Sequence, residues 1–151
     1  MSTNRSIRQA LLTTLHTVLT EDEELTRICG GNVRLHYMQA RKNQRYPYLV
    51  HGLAVRYLGD KVIADGIYEL DIYDCGDDSV RLLAMHHRII SLLDNGILPV
   101  PGEDALGVRT NIESDEDVLE QAEGVWHIAT CWRIRYARQM EILDILEREE
   151  T

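Results

Sequence analysis

The chain has 151 residues, with 16 Lys and Arg against 25 Asp and Glu, a formal net charge of -9, 44% hydrophobic and 27% charged residues. That length suits one domain and buries about two-thirds of the surface an unfolded chain exposes, so a disulfide or metal staple is not needed. The balance is globular; no apolar run nears the roughly 20 residues that cross a bilayer, the opening has no uninterrupted secretory core, and the acidity argues against a sequence-independent grip on nucleic acid.

Ile7, Leu11, Leu15 and Val18 repeat at helical spacing, with Leu12 and Leu19 beside them, and predict a first helix. Thr20 followed by Glu23 has the capping-box spacing and predicts the start of a second, short helix. Its acidic first turn, Glu21 to Glu24, suits the helix dipole, and Gly30-Gly31 stops it. From Val33 the period changes to two: Val33, Leu35 and Tyr37 alternate with Arg34, His36 and Met38, a short strand. The polar stretch from Gln39 to Arg45 lacks apolar periodicity and is expected to be a mobile loop.

Tyr46-Pro47-Tyr48 restarts an extended segment, because the residue before proline avoids the helical region. A strand is expected over Tyr48 to Tyr57 and a turn at Gly59-Asp60. Val62 to Tyr73 returns, with Tyr68, Leu70 and Ile72 on one face and Glu69 and Asp71 on the other. The next helix follows Asp77-Asp78-Ser79. Val80, Leu83, His87 and Ile90 are expected on its apolar side, with Leu82, Ile89 and Leu93, and Asn95-Gly96 ends it. Pro99 and Pro101 suggest a rigid connector.

Two strands follow. Leu106, Val108 and Ile112 oppose Arg109, Asn111 and Glu113 in the first. In the second, Trp126, Ile128, Trp132, Ile134 and Tyr136 face inward and His127, Arg133 and Arg135 outward. An acidic loop, Ser114 to Gly124, is expected between them. Met140, Ile142, Leu143, Ile145 and Leu146 suggest a last amphipathic helix. The expected architecture is α+β in the order ααβββαββα: an antiparallel sheet of four to five strands with helices on one face. A single domain over residues 1–138 carries an acidic extension over 139–151. If the last strand lies beside the hairpin, the Glu69/Asp71 and Arg133/Arg135 rows complement each other, at roughly 0.2–1 kcal/mol per directly opposed pair.

The charge is uneven. Residues 103–123 hold eight carboxylates against Arg109, a net -7, and the tail from Glu141 to Glu150 holds five against Arg148, a net -4. The remaining body is therefore slightly basic, at +2. Arginines outnumber lysines 14 to 2, and arginine is favoured at interfaces for its bidentate contacts with carboxylates. Acidic segments and an arginine-rich surface on one chain suit head-to-tail self-association, although compositional drift gives the same ratio.

Motifs for catalysis or metal binding do not emerge. Cys29, Cys75 and Cys131 lack a CxxC pairing and read as reduced, buried thiols. His86 and His87 leave a helix about 100° apart, a poor arrangement for sharing a metal, and His87 reads as a core or boundary residue. No P-loop, GxGxxG or GxSxG pattern occurs. Asp115-Glu116-Asp117 has only fragments of an EF-hand loop and reads as a solvated acidic segment. Arg41, Lys42 and Arg45, with Tyr46 and Tyr48 nearby, form a short basic patch fitted to phosphate or to an acidic neighbour. No cofactor is expected.

The order and character of these segments resemble the tail-terminator and tail-completion proteins of long-tailed phages and related gene-transfer particles. The resemblance covers about Ile7 to Arg138. It rests on the helix pair IRQALLTTLHTVLTEDEELTRIC, the strand entry RYPYLVHG, the strand-turn-helix GIYELDIYDCGDDSVRLLAMHHRIISLL, and the closing strands GVRTNIESDEDVLEQAEGVWHIATCWRIRYAR. The acidic extension after Gln139 departs from that pattern. The resemblance implies a non-enzymatic virion protein forming a ring, typically of six copies. Such a ring caps the tail tube, stops its polymerisation and offers a surface to the head connector, while DNA passes through the lumen unbound. Its partners are other copies of itself, the tail tube protein and the connector, with no membrane involved. Candidate contacts are Arg41, Lys42, Arg45, Glu69, Asp71, Arg109, Asp115, Glu116, Asp117, Arg133 and Arg135. The alternatives are a head-side connector, stopper or head-completion protein, an unrelated adaptor domain, or a small α+β enzyme whose site is scattered in sequence.

Overall fold

A computed structural model describes residues 6–58, 62–100 and 102–138; the expected C-terminal helix over 139–151 lies outside them. Helix α1 (Ile7–Glu21) opens with a reciprocal cap in which the Ser6 hydroxyl accepts from the Gln9 N–H and the Gln9 side chain accepts from the Ser6 N–H. Thr20 is not a cap. It belongs to α1, where its hydroxyl donates to the His16 carbonyl, and the cap of α2 (Glu23–Ile28) is Asp22, which accepts from the Leu25 N–H. A carboxylate there satisfies an orphan donor and faces the positive end of the dipole.

Six strands form one sheet: β1 (Leu35–Tyr37), β2 (Tyr48–Tyr57), β3 (Val62–Cys75), β4 (Gly96–Val100), β5 (Glu103–Val118) and β6 (Val125–Arg138). Helix α3 (Val80–Leu93) joins β3 to β4. The spatial order is β1-β2-β3-β6-β5-β4. All neighbours are antiparallel except β1 and β2, which run parallel because the Met38–Pro47 connection carries the chain back before β2 begins. The sheet is thus mixed and has one strand more than the largest number expected. The extra strand is the supposed proline connector: β4 pairs only with β5, and Pro99 sits exposed on this edge strand, where a missing N–H is tolerated.

The acidic loop also shrinks. β5 continues to Val118, so Asp115, Glu116 and Asp117 lie opposite Thr130, Ala129 and Ile128 of β6, and the connection is only 119–124. Pairing with a strongly β-forming partner strand overrides the poor strand propensity of the acids. A bulge between Ile112 and Ser114 carries Glu113.

One face of the sheet packs the helices. Leu11, Leu15 and Leu19 of α1, and Met85, Ile89 and Leu93 of α3, meet Tyr68, Leu70, Ile72, Val108, Trp132 and Ile134, all buried. The apolar side of α3 differs from expectation. Leu82, Met85, Ile89 and Leu93 are buried, whereas Val80, Leu83 and His87 are exposed. Two bidentate ion pairs tie the helical layer down: Arg88 to Asp22, with contacts at 2.7 and 2.9 Å, joins α3 to α2, and Arg81 to Asp74, at 2.6 and 2.8 Å, joins α3 to β3. Close β2–β3 approach requires Gly66, since a Cβ there would lie 1.9 Å from the Ala54 carbonyl oxygen.

Candidate interaction surfaces

The sheet face away from the helices has no covering layer of α1, α2 or α3, and it presents alternate residues of each strand. Glu69 and Asp71 share it with Arg133 and Arg135, as their alternation predicts, but the two rows are not directly opposed. Glu69 and Asp71 face Cys131 and Ala129, while Arg133 and Arg135 face Ile67 and Asp65. The two rows are therefore offset along the strands, and it is Asp65 that stands directly opposite Arg135. Arg109, opposite Arg135 on β5, is 6% exposed and donates to the Asn95 side chain at 3.2 Å, so it is built into the fold. Arg133 is exposed and borders a depression of about 360 Å³ with Arg56, Asp65, Ile67 and Glu113. There Arg56 donates both bonds of a cross-strand pair to Asp65, at 3.0 and 3.1 Å.

The three candidate acids Asp115, Glu116 and Asp117 divide by strand alternation. Glu116 lies on the open face in register with Ala129, while Asp115 and Asp117 lie opposite the buried Thr130 and Ile128 on the helical side. Asp115 reaches His86 of α3 at 2.7 Å; all three remain exposed. Beyond Ile112, whose N–H donates to the Asp94 side chain, no strand among the described residues pairs with the outer side of β5. Arg41, Lys42 and Arg45 are exposed in the β1–β2 connection, and none makes an ion pair among the described residues. Arg41 lies near enough to His36 to add to the burial that lowers that imidazole's pKa.

A row of rings missed by the sequence reading crosses the open face. Tyr46 and Tyr48 have centroids 5.1 Å apart, Tyr48 stacks on Tyr73 at 4.8 Å, and Tyr73 stacks on His127 at 4.0 Å. Burial pushes the phenols of Tyr48 and Tyr73 up to about 12, so both are neutral across the physiological range. His127 lies between two carboxylates: Nδ1 is 2.7 Å from Glu120 and Nε2 is 2.9 Å from Asp71. The available signal was register alone, since Tyr48, Tyr73 and His127 are directly opposed residues on adjacent strands.

Of the three thiols only Cys29 is buried, and burial raises its pKa to about 11; Cys75 is exposed and Cys131 half-buried, correcting the expectation of three buried cysteines. Among the described residues no cluster of three or more His, Cys, Asp or Glu could hold a metal ion, and no helix is long and apolar enough to cross a membrane.

At the sequence level the chain matches no protein-family model and no curated protein. Its fold is shared with solved structures. A chain from the virion of a native gene transfer agent particle superposes with a TM-score of 0.67 at 15% identity, over 89% of this chain and 99% of that one. A second solved chain superposes with a TM-score of 0.60 at 13% identity, over 87% of this chain and 96% of the other. The α+β arrangement of a six-stranded sheet with helices on one face is thus similar, nearly end to end, to that of a chain from a gene-transfer-agent virion.

Proposed function

We propose that this chain is a structural virion protein of a phage-like particle, a tail terminator or tail-completion subunit that closes into a ring of six copies at the head–tail junction. The carrying observation is the likeness to the gene-transfer-agent virion chain over 99% of its length, which leaves no large unmatched catalytic domain in that neighbour. The ring caps the tail tube, stops its growth and offers its other side to the head connector. DNA crosses the lumen without being gripped, in keeping with a chain of net charge -9. The surfaces described above support contacts with proteins, with charge separated between opposite edges of the sheet. The reading includes no catalytic step and no cofactor.

Native mass spectrometry across a dilution series, with negative-stain imaging of mixtures with tail tubes, tests it. The expected outcome is a concentration-dependent ring seated on tube ends. A chain that stays monomeric at high concentration and in the presence of tubes overturns the reading, and a ring that binds only the connector moves it to the head side of the joint.

A further inference from the structure

The open edge of β5 and the basic β1–β2 connection occupy opposite edges of the sheet, about four strand spacings or roughly 19 Å apart. The register shows that they stand at the same height. Tyr48 aligns through Tyr73 and His127 with Val118, and His51 aligns through Leu70 and Thr130 with Asp115. The connection carrying Arg41, Lys42 and Arg45 joins the two ends of this span, leaving β1 where Tyr37 pairs with His51 and entering β2 at Tyr48. The acids Asp115 to Asp117 occupy the same span on β5.

We infer that the unpaired Glu113–Val118 edge of β5 docks the basic β1–β2 connection of a second copy of this chain. This deepens the ring reading above and rests on it. Three observations favour a second copy as the occupant. Among the described residues no strand pairs with this edge, and its exposed carboxylates repel an identical acidic edge and accept a basic segment. Arg41, Lys42 and Arg45 are exposed loop cations at the opposite sheet edge that make no ion pair among the described residues, whereas the half-buried Arg34 beside them is turned to the Pro47 carbonyl. Equal height is the third: with the strands running along the ring axis, patches at one height allow a head-to-tail contact that rotates without rise and closes, whereas patches at different heights lead to a filament.

Charge-swapped variants of the full chain test this contact. One carries Arg41→Glu, Lys42→Glu and Arg45→Glu; a second carries Glu113→Lys, Glu116→Lys and Asp117→Lys; a third combines all six. Asp115 is left intact because it holds His86. A fourth variant, Glu113→Gln, Glu116→Gln and Asp117→Asn, keeps the edge testable if the lysine variant unfolds. Association is read by sedimentation and native mass, and folding by thermal unfolding. Each reversal is expected to weaken assembly at least about tenfold, and the combined variant to recover most of that loss because its edge and loop are again opposite in sign. Neutralising the edge is expected to weaken assembly and flatten its salt dependence. A wild-type ring that is indifferent to folded reversal or neutral variants overturns this contact alone, as does a combined variant as weak as each reversal. A wild-type chain that never assembles overturns the ring reading itself.

Discussion

Acid should weaken this fold through one buried imidazole. His51 is 5% exposed, its Nδ1 lies 2.7 Å from the hydroxyl of the fully buried Tyr68, and Tyr37 packs edge-on at 6.1 Å. Burial, helped by the nearby His16, lowers its pKa from 6.5 to about 4. Between those values the unfolded chain binds a proton that the folded chain refuses, so stability rises with pH and falls as acid is added. The loss is absent above about pH 7, grows below about 6.5 and levels off below about 4. At pH 5 it amounts to about 2 kcal/mol, from 1.36 kcal/mol per unit of separation. Urea unfolding at pH 7 and pH 5 measures it, with His51→Gln as control, since an amide keeps a partner for Tyr68 and does not titrate. The wild-type chain should lose about 2 kcal/mol more than the variant between the two pH values. Equal losses would refute the assignment of this acid sensitivity to His51.

Asp22→Ala removes both a helix cap and the Arg88 pair and should cost about 2 kcal/mol in denaturant unfolding, while Asp22→Asn, which keeps a capping oxygen, should cost clearly less. Gly66→Ala forces a Cβ against the Ala54 carbonyl and should destabilise by about 3 kcal/mol, lowering the melting temperature by several degrees in calorimetry. Trp132→Ala empties the centre of the core and removes the indole N–H bond to the Thr130 hydroxyl at 2.8 Å, leaving that hydroxyl only its bond to the Leu70 carbonyl. A loss of about 3–5 kcal/mol is expected, and a loss below 1 kcal/mol would contradict the packing.

Strand β2, Tyr48 to Tyr57, is legible to the residue, and helix α3 is legible between its Asp77–Ser79 caps and its Asn95-Gly96 stop, because these signals are local: a proline entry, a capping cluster and a glycine stop. The inward set Tyr68, Leu70 and Ile72 was legible for the same reason. What local pattern could not show is what a partner strand imposes. Asp115, Glu116 and Asp117 have the composition of a loop and become strand because β6 supplies the opposite ladder. Pro99 has the composition of a break and becomes strand because its side of the sheet is an edge. Val80 and Leu83 fall on an apolar helical stripe yet remain exposed, since the sheet meets α3 along Leu82, Met85, Ile89 and Leu93. Of the candidate contact residues, the loop cations and the β5 acids stand on exposed surface, whereas Arg109 is consumed by the fold.

The row of aromatic side chains bears on the proposed contact between copies. Tyr46 closes the basic connection, and His127 anchors the β5–β6 hairpin through Glu120, so the stack Tyr46–Tyr48–Tyr73–His127 links both proposed contact surfaces through rigid side chains. The Trp126 indole N–H adds a bond to the Gly76 carbonyl at 3.1 Å, and the Gly76 N–H donates to the Gly124 carbonyl at 2.9 Å, which ties the turn end of the hairpin to the turn before α3. A subunit whose two contact surfaces could shift relative to each other along the strands would close at varying angles and with varying rise. Stacked planar side chains with few rotamers resist that shift at little entropic cost, whereas lysines or glutamates at the same positions would not. Under the proposed contact, the charges choose the neighbour and the aromatic row sets the height at which that neighbour is met.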